Sequence, residues 1–415
     1  MKGVTKLLLV ACWVVGNVYG QAVYVDAEFG FDTNGGESWE SAKQTLQAGI
    51  DAASVGGTVY VAAGIYQPIV TTNKLVRIEA VSPNPSDTII DGGGVKRCAT
   101  LGVRPQLGQT NTVLLGFTLC NGTTTPRDGQ TVSTYGGGVF SGTLINCIIR
   151  DCVADVGGGA HDTKLIQCVL KNNTAHLLGG ATSRGTLRQC TVVKNKAYVV
   201  GGVLNSTVEN SIVWDNNSTN TSYGTQFDNY LESTFAYSCT TPMPSGADDL
   251  GGNIEQDPLF VDAANGDFRL RGNSPCLDTG TNTYAAGIAF DLDGNPRVIN
   301  DTVDMGAYEL QEPEFYISSY DAWRIYYGLG DTPENGDKWL AGLDPLDNTS
   351  VFHALIDIND GRPVVSWRPD LREKRTYTLL ASPTLDTPVA EWEEFATNNI
   401  PDTMRFFKVR VDVAK

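Results

Sequence analysis

Three cations, Arg150, Lys171 and Lys194, recur about one repeat apart, and stacked cations of this kind can hold the carboxylates of an acidic sugar. With a base that removes a proton next to a carboxyl group, such a strip would be a lyase. Two carboxylates flanking a glycosidic bond would instead be a hydrolase. In the regular repeats the acids are Asp151, Asp155, Asp162, Glu209 and Asp215. Asp151 and Asp215 share a column three repeats apart, which at ~4.8 Å per layer is ~14 Å. A retaining pair needs ~5 Å and an inverting pair ~6.5–9.5 Å, so the spacing does not suit a hydrolase. His161 adjoins Asp162, but it aligns with Phe140, Thr182 and Leu204, which makes it a partly buried histidine and not a general base. His161, His176 and His353 form no close pair, so zinc has no evident ligand set.

Two polar stretches rich in Thr, Ser and Asn, residues 122–134 and 217–230, interrupt the repeats. Passing from Phe117 to Cys147 takes 30 residues where one repeat needs 21 or 22, which places extra residues, including Arg127 and Asp128, at one corner. The second stretch brings Tyr223, Phe227 and Tyr230, whose rings can stack on sugars. If both leave from the same corner they bracket a cleft ~20 Å long. The candidate ligand-binding set is therefore Arg127, Asp128, Arg150, Lys171, Lys194, Tyr223, Phe227 and Tyr230.

The scaffold that would carry these residues is periodic. Gly137-Gly138, Gly158-Gly159, Gly179-Gly180 and Gly201-Gly202 recur at steps of 21, 21 and 22, while Cys147, Cys168, Cys190 and Ser211 recur at 21, 22 and 21. Five residues after the Cys column stand Cys152, Asn173, Asn195 and Asn216; seven after it stand Ala154, Ala175, Ala197 and Ser218. Segments such as Leu144-Ile145-Asn146-Cys147-Ile148-Ile149 have the β-branched alternation of strands, and no ten-residue helix fits between glycine pairs. The period predicts an all-β solenoid, a right-handed parallel β-helix whose strands bond to the coils above and below. In it the Cys column faces inward, the Asn column forms a ladder of amides, and the paired glycines supply positive φ at tight corners. Weaker coils flank the clear four, at Val59-Tyr60-Val61, Val76-Arg77-Ile78, Thr88-Ile89-Ile90-Asp91 and Val113-Leu114-Leu115 before them, and at Phe235-Ala236-Tyr237 and Leu259-Phe260-Val261 after. Ala42, Leu46, Ile50 and Ala53, at helical spacing within residues 38–53, are placed to cover the first open end.

Lys2 and Lys6, the apolar run that follows and Val18-Tyr19-Gly20 have the order of a secretory signal over residues 1–20, with Leu9-Val10-Ala11-Cys12 as an alternative lipoprotein signal. With 30 basic and 47 acidic residues the net charge is −17, which opposes partners such as nucleic acid or anionic lipid. No later segment has the ~18 apolar residues of a membrane span. Cys147, Cys168 and Cys190 are expected as free buried thiols, whereas Cys239 and Cys276, in irregular sequence, are candidates for a disulfide in an oxidising compartment.

The GGxx…C-x-x-D/N pattern resembles the repeats of polymorphic outer-membrane proteins. The opening YVD, GGESWESAKQTLQAGIDAA and GGTVYVAAGIY is similar to the start of secreted pectin-lyase-like folds. DPLFVD, DFRLRGNSPCLDTG, DLDGNPRV and VDMGAYE resemble the choice-of-anchor Q module of bacterial surface proteins. The resemblance covers residues 21–310 and implies a secreted or surface-tethered β-helix, without implying one reaction. The Asn-Thr-Asp, Asp-Asp, His-Gly and Arg-Ile-Lys set of a polygalacturonase is missing, apart from an isolated Asp248-Asp249.

The expected organisation is a signal at 1–20, the β-helix at 21–312, an acidic linker at 313–349 and a small β-sandwich at 350–415. The last two regions hold Trp323, Trp339, Trp367 and Trp392. No cofactor is expected. For calcium, Asp291-Leu292-Asp293-Gly294 lacks the Glu at the twelfth position, and Asp331, Glu334, Asn335 and Asp337 replace the regular Asp ladder of similar linkers. The functional expectation is an exported, non-catalytic protein that binds a polysaccharide or cell-surface glycan. The alternative is a polysaccharide lyase or related enzyme acting on acidic glycans.

Overall fold

The computed structural model describes residues 22–104, 106–124, 134–220, 222, 227–299 and 301–311, with the backbone of five strands between residues 353 and 413. The signal segment, Cys12 and the linker at 313–349 lie outside the described residues. Three parallel sheets of nine, eight and seven strands run along the body, and a four-stranded parallel sheet lies beside them. One coil visits them in turn, as in Thr143–Ile145, Ile148–Arg150, Val153–Val156 and Ala160–His161. The next coil repeats the path through Lys164–Ile166, Val169–Lys171, Thr174–Leu178 and Thr182–Ser183. This is the expected parallel β-helix, right-handed as connections between parallel strands of one sheet are.

Apolar side chains stack inside it in register. Leu114, Leu144, Leu165, Leu187, Val208 and Phe235 follow one another along the nine-stranded sheet, all at 0% exposure. Each such side chain contributes ~1.5–3 kcal/mol by leaving water. Leu46 and Ile50 of the short helix Leu46–Ala52 are buried in the same core, so the helix closes the first end. The Thr45 hydroxyl caps it by accepting the Ala48 N–H at 3.2 Å.

The corners differ from expectation. Left-handed backbone occurs at Asn146, Gln167, Gln189 and Asn210 (φ 52, 51, 56 and 46°) and at Asp151, Asn172, Lys194 and Asp215 (φ 58, 57, 55 and 53°). A third series is Ser141, Asp162, Arg184 and Asn205 (φ 60, 55, 58 and 47°). The residues expected to form one alternating strand around Cys147 are thus split by Asn146 into strands of two sheets. The paired glycines serve mainly another purpose. A Cβ on Gly158 would lie 2.4 Å from the Thr174 carbonyl oxygen and 2.5 Å from that of Gly180, so glycine here permits close approach of the next coil.

Their register also changes. Ala160 faces Thr182 and His161 faces Ser183, so Gly158-Gly159 stand opposite Gly180-Ala181, and His161 does not share a column with Thr182. The corrected glycine series Gly137, Gly158, Gly180 and Gly201 steps by 21, 22 and 21, matching the Cys column. The extra residue sits in Thr174–Leu178: Ala154 pairs with Ala175, but Val156 pairs with Leu178. This bulge turns His176 and Leu177 outward to solvent.

Cys147, Cys168 and Cys190 are free thiols at 0% exposure. Next to them the amides form a continuous ladder. The Asn173 side-chain oxygen accepts the Cys152 N–H at 3.1 Å, and those of Asn195 and Asn216 accept the N–H of Asn173 and Asn195 at 2.9 and 3.0 Å.

Beyond the coils the chain does not add another turn at Leu259-Phe260-Val261. Phe260–Asp262 instead pairs antiparallel with Asp267–Leu270 in a closing hairpin, whose Phe260, Phe268 and Leu270 pack with Cys239, Cys276 and Met305 in a second core. Cys239 and Cys276 are free thiols here, not a disulfide. They lie in hydrogen-bonding contact, which together with burial pushes the Cys239 thiol far up. Farther along, His353–Asn359 pairs antiparallel with Arg362–Arg368, and Arg375–Ser382 lies between Glu393–Phe395 and Phe406–Val413.

Candidate functional site

Both insertions connect the eight-stranded to the seven-stranded sheet. The first lies between Thr118–Cys120 and Val139–Phe140, the second between Ile212–Trp214 and Tyr230–Leu231. They adjoin the four-stranded sheet, whose outward side chains include Thr174, His176 and Lys196, with the exposed Tyr198 just beyond its third strand. Arg127, Asp128 and Tyr223 lie outside the described residues. Phe227 is half-buried, and Tyr230 pairs with Val203 in a strand and meets Phe235 edge-on at 4.8 Å, so its ring is turned toward the core.

Arg150 and Lys171 are register neighbours, but Val193 and not Lys194 continues their row. Arg150 is bonded to Asp151 at 2.6 Å. Lys171 and Lys194 reach the Phe268 ring of the closing hairpin at 5.5 and 5.8 Å, and Lys194 donates to the Ala263 carbonyl. Burial lowers the Lys171 ammonium, with Arg150 adding to the effect. These three cations are therefore engaged by neighbours and do not form an open strip.

A different basic cluster gathers along the seven-stranded sheet, built by an insertion that sequence reading missed. The chain between Ala99–Thr100 and Thr112–Leu115 forms a loop whose fold depends on Gln109. The Gln109 side chain accepts the Val103 N–H at 3.1 Å and donates to Val103 and Gln106 carbonyls at 2.7 and 2.8 Å. Asp162, at its left-handed corner, accepts the Gly108 N–H at 2.7 Å and the Ser141 hydroxyl at 3.2 Å, which ties the loop to the coil.

This loop presents Arg104 over the Tyr135 ring at 4.4 Å. Tyr135, on the returning side of the first insertion, also lies 4.6 Å from the His161 ring. Arg97 holds that backbone in place, donating to the Tyr135 and Gly136 carbonyls at 2.7 Å each and to the Thr100 hydroxyl at 3.0 Å. Arg184, from the next coil, stands 4.0 Å from Asp162 with 45% of its side chain exposed. Three guanidinium groups outnumber the carboxylates of Asp162 and of Asp155, which accepts the Thr134 N–H beside Tyr135, so this patch is basic on a chain of net charge −17.

The electrostatics follow from the packing. His161 is 5% exposed, and burial, then Arg184, Arg104 and Arg97, pull its imidazole down to about 4, so it is neutral at ordinary pH. Its Nδ1 is buried without a hydrogen-bond partner. Burial, with Arg104 nearby, brings Arg97 down to about 10, still charged at neutral pH. Such a surface can hold an anion by guanidinium forks.

Among the described residues, Asp278, Asp304 and Glu309 offer oxygens within 4.8 Å of one another, a spacing that can hold a metal. Protein donors already meet these charges. Asp304 accepts the Asp278 and Leu310 N–H groups at 2.8 and 2.7 Å, and Glu309 accepts those of Ile299 and Asp304 at 3.2 and 3.0 Å. The guanidinium of Arg297, at 0% exposure, lies 3.7 Å from Glu309 and donates to Gln189 and to the Asp304 and Gly306 carbonyls. Burial pushes the Asp304 and Glu309 carboxyls up, with Arg297 opposing. Asp291 is likewise a turn-former, accepting the N–H groups of Asp293, Asn295 and Glu309. DLDGNPR and VDMGAYE therefore meet around one buried arginine that fastens the closing segment to the coils.

Among the described residues no helix is long and apolar enough to cross a membrane. No family model matches the chain, and no curated protein matches it in sequence. Among solved structures it is similar to pectate lyase Pel9A, at 12% identity and TM-score 0.35 over 70% of this chain and 96% of that one. It is also similar to a rhamnogalacturonan lyase, at 14% identity and TM-score 0.33 over 75% and 99%. A third is the GH136 lacto-N-biosidase from Eubacterium ramulus, at 10% identity and TM-score 0.29 over 53% and 51%. Likeness at this level carries neither substrate nor mechanism to the chain.

Proposed function

We propose that the chain is an exported, non-catalytic binding protein for an acidic glycan, which it holds on the patch formed by Arg104, Tyr135 and Arg184. The observation that carries this reading is the stacking of the Arg104 guanidinium on Tyr135, whose backbone Arg97 fixes. A guanidinium already oriented by an aromatic face loses less freedom when it takes a carboxylate or sulfate. Arg184 supplies a second fork. The non-catalytic reading is supported by His161, which is buried against the Tyr135 and Phe140 rings instead of facing a ligand. Export is supported by the order of charged, apolar and small residues in positions 1–20, and surface attachment by the closing motifs that resemble an anchor module.

The test is a titration of the full chain with oligogalacturonate and with a sulfated oligosaccharide, alongside absorbance for unsaturated uronate. The expected result is saturable, salt-sensitive binding of at least one, weakened about tenfold or more in Arg104→Ala/Arg184→Ala, with no unsaturated product. Unchanged binding in the double variant would overturn the site, and accumulation of unsaturated uronate would overturn the non-catalytic reading.

A further inference from the structure

A cavity of about 480 Å³ lies between the eight-stranded sheet and the closing hairpin, away from the arginine patch. Its coil wall is Val193, Trp214 and Asp215, and its hairpin wall includes Asp257, Asp262 and Arg271. The volume is in the usual range for a small-molecule site. We propose that this cavity is a second carbohydrate site, one that takes a neutral sugar unit with its ring on Trp214.

Trp214 ends the strand Ile212–Trp214 in the outward row of Arg150, Lys171 and Val193. Its neighbours in that row are covered by Phe268 of the hairpin, whereas Trp214 is partly buried, packed on one side against the closing core and bordering the cavity. An indole face in a partly enclosed space is a platform for the C–H face of a pyranose. Asp215 follows in left-handed backbone at φ 53°, which fixes the direction of its exposed side chain. Among the described residues none hydrogen-bonds its carboxylate, so both oxygens are available to sugar hydroxyls. Asp257 uses one oxygen for the Leu259 N–H at 2.9 Å and keeps the other. Asp262 is held by Asn265 at 2.6 Å. Arg271 donates to the Val261 carbonyl at 3.1 Å and has further N–H groups for a hydroxyl or ring oxygen.

The charge selects the ligand. Three aspartates outnumber Arg271 and the Lys194 ammonium that adjoins the cavity at Ala263, so the wall keeps a net negative charge that disfavours a uronate or sulfate, whereas neutral hydroxyls donate well to carboxylates. The two sites thus differ in sign and suit different units of a mixed glycan, or different glycans.

Saturation-transfer NMR on the full chain, with methyl β-D-glucoside, methyl β-D-galactoside and methyl β-D-xyloside as probes, tests this directly. At least one probe should give saturable transfer that falls about tenfold in apparent affinity in Trp214→Ala and is largely restored in Trp214→Phe. The same transfer should persist in Arg104→Ala/Arg184→Ala, so this site stands or falls separately from the acidic-glycan patch. If Trp214→Ala does not fold, Asp215→Ala serves in its place, since that side chain is exposed, and should show the same weakening. Absence of saturable transfer from all three probes, or transfer unchanged in the cavity variants, would overturn the proposal.

Discussion

Replacing Asn195 with alanine removes the centre of the amide ladder, and its cost can be worked out bond by bond. The Asn195 side-chain oxygen accepts both the backbone N–H and the side-chain amide of Asn173, each at 2.9 Å. Its own amide donates to the carbonyls of Leu170 and Val193 and to the Asn216 side-chain oxygen, at 2.9, 3.0 and 2.9 Å. Water cannot substitute, because Asn173 and Asn195 are both at 0% exposure. The Asn173 amide keeps its bond to the Ile149 carbonyl, but the Asn173 N–H is orphaned. One buried orphan costs ~1–3 kcal/mol, and the loss of the remaining bonds brings the expected total to ~3–5 kcal/mol. Asn217→Ala, at an exposed position on the next coil, is the control and should change stability by less than ~0.5 kcal/mol. The measurement is urea unfolding of the full chain followed by circular dichroism. Variants whose stabilities agree within ~1 kcal/mol would refute the idea that the ladder, and not backbone pairing alone, holds the coils in register.

Cys168→Asp, which puts an unpaired charge in a fully buried column, should cost several kcal/mol in the same assay, while Cys168→Ala should cost far less. Arg297→Met should release residues 259–311 to limited proteolysis while the coils stay resistant, because Arg297 joins Gln189 of the coil to the Asp304 and Gly306 carbonyls; equal resistance to wild type would count against that role. His161 gives a pH dependence of known sign. Its folded value of about 4 lies below the ordinary 6.5, so between those limits the unfolded chain binds a proton that the folded chain refuses, and stability falls as pH is lowered. The loss reaches ~3 kcal/mol, should disappear in His161→Gln, and would be contradicted by an imidazole NMR titration with an unshifted midpoint.

The coil period was legible because every coil must bury the same columns, and a repeated Cys, Asn or Ala in a fixed row can mean little else. The corners were not legible, since left-handed positions are filled by Asn, Gln, Asp, Lys, Arg and Ser alike, with no single residue type as a marker. The glycine register failed by one residue because Gly179-Gly180 looks like the other pairs, although Gly180-Ala181 occupies their place. The closing hairpin resembled another coil because Leu259-Phe260-Val261 has the same apolar run whether its partner is parallel or antiparallel. The arginine patch was missed because Arg97, Arg104 and Arg184 come from separate coils and a loop. Its signal was nonetheless present: two residues separate Phe140 from Thr143, whereas eleven separate Thr100 from Thr112.

The bulge in Thr174–Leu178 shows how this architecture absorbs change. One additional residue leaves the row at His176 and Leu177, and by Thr182 the register is fully restored, with the Leu165 and Leu187 side chains of the two coils still paired in the core. Length is thus a private property of each corner, and the interior does not record it. A chain built this way can lengthen its exposed turns one coil at a time, so its outer face is free to diversify while the buried columns stay fixed. For engineering, the position between His176 and Leu177 is a natural graft point beside Tyr198, provided the Leu177 carbonyl keeps the Val199 N–H of the next coil.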